Sequence, residues 1–79
     1  MKLKITKKHI KEGKKKNYLS CPIAVALQER FANIVRVLGT ECGIGMYWYP
    51  LPLEAQNFIK KFDAGKKVVP FNFIIKGLK

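Results

Sequence analysis

Residues 20–32, reading Ser-Cys-Pro-Ile-Ala-Val-Ala-Leu-Gln-Glu-Arg-Phe-Ala, constrain this chain more than any other stretch. Ile23, Leu27 and Phe31 recur every four residues with Ala24 and Ala26 beside them, while Gln28, Glu29 and Arg30 fall on the opposite side. That spacing predicts a helix with one apolar stripe, laid against a sheet. Ser20 is placed to cap it, since its hydroxyl accepts a hydrogen bond from a first-turn N–H. Pro22 comes early enough that its missing N–H costs nothing.

The flanking segments supply the sheet. Residues 2–5 alternate polar and apolar, so Leu3 and Ile5 face a core and Lys2 and Lys4 face out, as in a short first strand. Thr6 caps a single helical turn over residues 7–12, anchored by Ile10 and stopped by Gly13. Residues 34–38 are rich in β-branched side chains and predict a second strand. The turn residues of 39–43 predict a hairpin, and residues 44–49 a third strand ended by Pro50. A helix over 52–62 follows, with Ala55, Phe58, Ile59 and Phe62 on its apolar face and Gly65 as a left-handed cap. Residues 68–75 form a fourth strand with Phe71, Phe73 and Ile75 on one face, and Pro70 argues for an edge. The fold class expected is α+β: a small four-stranded antiparallel sheet with two helices on one face, in ferredoxin-like β-α-β-β-α-β order. A small α+β variant with another strand order is the alternative. Residues 1–79 are expected to make a single domain, because a chain this short buries only about 60% of its unfolded surface and supports one modest core.

Composition narrows the function classes. At 48% hydrophobic the chain is too apolar for wholesale disorder. It has no run of about 18 apolar residues to span a membrane, and no apolar segment of a secretory signal behind its basic start. A soluble cytoplasmic protein is the expectation, with Cys21 and Cys42 as reduced thiols. The formal net charge is +11 and it sits at the ends. Lys2, Lys4, Lys7, Lys8, Lys11, Lys14, Lys15 and Lys16 are opposed in the first sixteen residues by Glu12 alone. Residues 60–79 carry Lys60, Lys61, Lys66, Lys67, Lys76 and Lys79 against Asp63, and the middle of the chain is nearly neutral. If the two ends lie side by side, they form one positive surface suited to nucleic acid or to an acidic protein.

Several motifs run through the chain together: T6-K-K-H9-I10 with G13; C21-P-I-A-V-A-L27; L51-P52 with A55; F58-I59 with F62-D-A-G65; and V69-P-F-N-F73. In this combination they resemble a widespread family of small uncharacterised proteins encoded by bacteriophages and bacterial genomes. The similarity runs from about Ile5 to Ile75. It implies a phage or prophage setting and a bacterial host cytoplasm, and it brings no activity or site residues with it.

Read singly, the candidate sites are sparse. A helix start lowers a thiol's pKa, but a thiol nucleophile needs a base, and His9, the only histidine, is not placed beside Cys21 by anything in the sequence, so Cys21 is expected as a small buried residue at a tight helix start. Two separated cysteines and one histidine do not make a metal site. Gly43-Ile44-Gly45 lies in a predicted hairpin rather than before a helix, so it is no phosphate loop. RNA-recognition modules of the predicted topology stack bases on a central strand, yet Ile44 and Met46 stand where their aromatics belong. With Ile44, Met46 and Trp48 inward, Tyr47 and Tyr49 share the outer face with Lys2, Lys4, Arg36, Asn72 and Lys76, an arrangement suited to single strands. The expectation is a non-enzymatic binding protein without cofactor, a monomer or homodimer, contacting DNA or RNA through the lysine-rich ends, Arg36 and the two tyrosines. The alternative is an inhibitor of a host defence or nucleic-acid-handling protein, acting by protein contact.

Overall fold

The computed structural model describes residues 1–78, and Lys79 lies outside the described residues. The chain runs β1 (Lys2–Ile5), α1 (Lys7–Glu12), α2 (Pro22–Gln28), β2 (Val35–Val37), β3 (Glu41–Ile44), β4 (Tyr47–Pro50), α3 (Leu53–Asp63) and β5 (Phe71–Ile74). The fold is mixed α+β, but the strands do not form the single four-stranded sheet expected. β1 pairs antiparallel with β5 as a two-stranded ribbon, and β2, β3 and β4 form a separate antiparallel sheet in that order. The extra strand, β3, occupies residues 41–43 of the predicted turn together with Ile44, and the turn into β4 falls instead at Gly45, with φ 62°, and Met46, inside the predicted third strand. Gly43, read as a turn residue, lies inside β3. A Cβ there would stand 2.9 Å from the Trp48 ring, so the indole lies directly over the glycine backbone.

α2 packs against β1 on one side and β2 on the other, and so joins the ribbon to the sheet. Ile23, Ala24, Ala26 and Leu27 are buried there with Leu3, Ile5, Val35 and Val37. The helix is shorter than its pattern: Phe31 is half-buried beyond its end, and its N-cap is Cys21 rather than Ser20. Asn17 accounts for the shift. Its carbonyl accepts from the N–H groups of Ser20 and Cys21, at 3.2 and 2.9 Å, and its side chain from Leu19, so Ser20 is held inside a turn. α3 ends as predicted. Gly65 at φ 78° donates to the Phe62 carbonyl and Lys66 to that of Lys61, a Schellman cap. Its buried Phe58 packs on Phe71 at 4.7 Å between centroids, and Phe71 on Phe73 at 5.4 Å, which fixes α3 to β5.

α1 is capped as predicted, by Thr6, with a partner not anticipated: the Thr6 side chain accepts from the His9 N–H while His9 Nδ1 accepts from the Thr6 N–H at 3.0 Å. His9, not Ile10, is its buried residue. α1 lies against α2 through Gly13, where a Cβ would come within 2.6 Å of the Pro22 ring. Gly13→Ala is therefore expected to lower stability in urea unfolding by about 1–3 kcal/mol, the range for overpacking. Gly39→Ala, at a position with nothing within 4 Å, should change it by less than about 0.5 kcal/mol. Equal effects would contradict the α1–α2 contact.

Candidate nucleic-acid interface

The ribbon brings the ends of the chain together. Its register sets Lys2 opposite Ile74 and Lys4 opposite Asn72, all four exposed, while Leu3 and Phe73 turn into the core. Beyond it the Ile75 N–H donates to the Met1 carbonyl at 2.8 Å, and the terminal ammonium donates to the carbonyls of Ile75 and Leu78. Exposed Lys76 shares a surface depression with Lys2.

The ends meet a second time at the far end of α3. The Lys16 N–H donates to Asp63 Oδ1 at 2.9 Å, with Lys16 in the left-handed region at φ 54°. The Lys15 ammonium reaches within 3.2 Å of where a Cβ would stand on Gly65. Exposed Lys15 and Lys16 are thus held at the C-terminal end of α3, where the helix dipole favours cations and where exposed Lys60 and Lys61 stand in the last turn. Lys7, Lys8 and Lys11 are exposed on α1. Among the described residues, the Lys8 ammonium alone of the lysine ammonium groups is within 4.0 Å of a carboxylate, that of Glu29, in a solvated contact worth little. The lysines thus present their charge to solvent.

The aromatic face is the reverse of the one expected. In β4, Tyr49 is opposite Cys42 and Tyr47 opposite Ile44, which puts both tyrosines on the face of the buried residues. Tyr49 is half-buried against the core. Tyr47, at the end of the sheet, remains exposed. Trp48, expected inside, lies on the outer face across Gly43, with the Arg36 guanidinium over its ring at 4.8 Å. Met46, also expected inside, is at the hairpin tip and almost fully exposed. The turn at Gly45 sets this parity, and a one-residue change of register carries every side chain to the other face. Arg36 donates from Nη2 to the Gly45 carbonyl at 3.1 Å. Tyr47 and Tyr49 therefore do not share a lysine-ringed face, and Arg36 is committed to Trp48 and the hairpin.

The sequence reading missed one buried polar contact. With Nδ1 accepting from Thr6, His9 Nε2 carries its proton and donates to Glu29 Oε1 at 2.7 Å, tying α1 to the C-cap of α2. The signal was present in the Thr6–His9 spacing, where histidine takes the third position of a capping box. A carboxylate at a helix C-cap opposes the dipole, and the His9 bond offsets that. It also lowers the Glu29 pKa, with Lys8 adding to the effect. Cys21 and Cys42 are free and buried, and burial raises both thiols, Cys42 to about 11. Neither is an activated nucleophile. No group of three or more His, Cys, Asp or Glu side chains is positioned to hold a metal ion among the described residues.

The fold and surface define a small, strongly basic α+β protein whose lysine-rich ends converge. Comparison with protein-family models, with curated proteins and with solved structures finds no match. No helix among the described residues is long and apolar enough to cross a membrane.

Because the Glu29 carboxyl is held below its ordinary value of 4.5, its bond contributes stability that is in place above that pH. The contribution is lost as the pH falls through the lowered folded value. Urea unfolding at successive acid pH values should show a smaller acid-side loss for Glu29→Gln than for the parent, and identical profiles would contradict the contact. Both cysteines should react slowly with iodoacetamide at neutral pH in the native protein and quickly in urea, as followed by mass spectrometry. Rapid native labelling of Cys42 would contradict its burial.

Proposed function

We propose that this chain is a small non-enzymatic protein that binds nucleic acid, DNA or RNA, through lysines gathered from its two ends. The supporting observation is their convergence: Lys2 and Lys4 on the ribbon beside Lys76, and the 14–16 loop docked on the C-terminus of α3. Long solvated ammonium groups on a short rigid scaffold contact phosphates without reading sequence. Binding of this kind needs no cofactor and suits a monomer or a homodimer. The resemblance to phage-encoded proteins favours the cytoplasm of a bacterial host as its setting.

A second reading, inhibition of a host protein by direct contact, is favoured by one observation. Ile34, Met46 and Tyr47 are 71, 91 and 70% exposed at the tip of the three-stranded sheet, next to the Trp48–Arg36 stack. Exposed clusters of this composition are typical of protein interfaces.

Fluorescence anisotropy with labelled oligonucleotides at several salt concentrations separates the readings. Nucleic-acid binding should exceed that of an unrelated protein of similar charge. The triple reversal Lys14→Glu, Lys15→Glu, Lys16→Glu should lower the slope of log affinity on log salt by about 0.7–0.9 for each phosphate that is no longer neutralised. Binding no tighter than the control would overturn the proposal and direct attention to the hairpin tip.

A further inference from the structure

Two depressions lie along the seam between α3 and β5, and they share Glu54 as a common wall. The one nearer the start of α3, about 350 Å³, has Lys2 and Lys76 at its rim over Asn72 and Ile74. The other, about 490 Å³, has Lys61 and Lys67 at its rim over Val69 and Phe71. They adjoin at Glu54 as two segments of a trough. Its α3 wall is the stripe Glu54, Asn57 and Lys61, exposed residues at helical spacing beside the buried row of Ala55, Phe58 and Phe62.

From this arrangement we propose that the trough is a track for single-stranded nucleic acid, with phosphates on Lys2, Lys61, Lys67 and Lys76 and bases against the apolar floor. The proposal rests on the nucleic-acid reading above and names its site. The four lysines that line the trough face a single carboxylate, that of Glu54, so the charge favours a polyanion along its whole length. The floor selects among polyanions. Val69 is exposed and Phe71 half-buried in the depression rimmed by Lys61 and Lys67, Ile74 is exposed in the one rimmed by Lys2 and Lys76, and apolar surface between cations gains nothing from a duplex, whose base faces are stacked inside. A single strand presents both phosphate and bare base, which suits lysines at the rim and apolar surface between them. An acidic peptide would satisfy the lysines and leave the floor uncovered. Lys61 and Lys67 thereby acquire a role that the N-terminal lysines alone do not explain.

The test is anisotropy of a labelled oligothymidine and of a hairpin duplex of the same length, with three variants. Oligothymidine is expected to bind the parent protein more tightly than the duplex. Lys61→Glu with Lys67→Glu should weaken oligothymidine binding about tenfold and lower its salt slope by about 1.4, the equivalent of two single-strand phosphates. Lys7→Glu with Lys11→Glu, an equal charge change on α1, should cost less. Glu54→Gln should tighten binding, and if the double trough variant fails to fold, this substitution decides by itself: tighter binding supports the track and unchanged binding overturns it. The track is also overturned if the two charge reversals are equivalent, if the duplex binds as tightly as the single strand, or if oligoglutamate displaces oligothymidine at equal concentration. Failure of the parent protein to bind either oligonucleotide beyond a basic control protein is a different result, and it removes the nucleic-acid reading itself.

Discussion

The apolar stripe of α2 is wedged between β1 and β2, and these two strands belong to different sheets. The ribbon and the three-stranded sheet share no ladder, so the helix between them carries the junction. Ile23 and Leu27 are completely buried in it, each worth about 1.5–3 kcal/mol relative to exposure. The other links follow from that placement. α1 folds back on α2 through Gly13 and Pro22, and the His9–Glu29 bond fastens its far end. α3 packs on the same face of the ribbon, over β5, with a row of phenylalanines. In 79 residues there is little redundancy, and each of these contacts holds an element that no other fastens as closely.

Local rules were read correctly where a local signal decided the outcome. Thr6 before α1, Pro22 at the start of α2, Gly65 after α3 and the alternation in β1 all act within one turn or one strand, and each stands where its chemistry places it. The errors fall where two local signals competed or where tertiary pairing chose. Ser20 is a good cap by type, but Asn17 takes its backbone into a turn and leaves Cys21 at the cap. Gly43 and Gly45 are equivalent as turn residues. Only the fit of the Trp48 ring over Gly43 shows that the turn belongs to Gly45. That choice sets the parity of β4 and with it the positions of Tyr47, Trp48 and Tyr49. The division into two sheets has no local signature at all, because it depends on which edges meet.

The same distinction applies to the candidate site. Charge at the ends of the chain was plain in the sequence, as were Lys2, Lys4 and Lys76. The seam between α3 and β5 was not, since it combines Lys61 with Lys67 across the turn after α3 and with an apolar floor from β5. Antiparallel pairing of the first strand with the last is what turns two separate charge runs into neighbours. The resulting surface is basic along α3 and apolar at the hairpin tip. These two faces suit different classes of partner, and the charge of +11 weights the balance toward polyanions.

The most direct measurement is an amide-resolved NMR titration of the labelled protein with a short single-stranded oligonucleotide. Binding through the converged lysine ends predicts shift changes in residues 2–4, 14–16, 57–61 and 67–76, saturating with oligonucleotide and receding with salt, while residues 34–48 stay in place. Changes confined to residues 34–48, or none at all, would contradict the account.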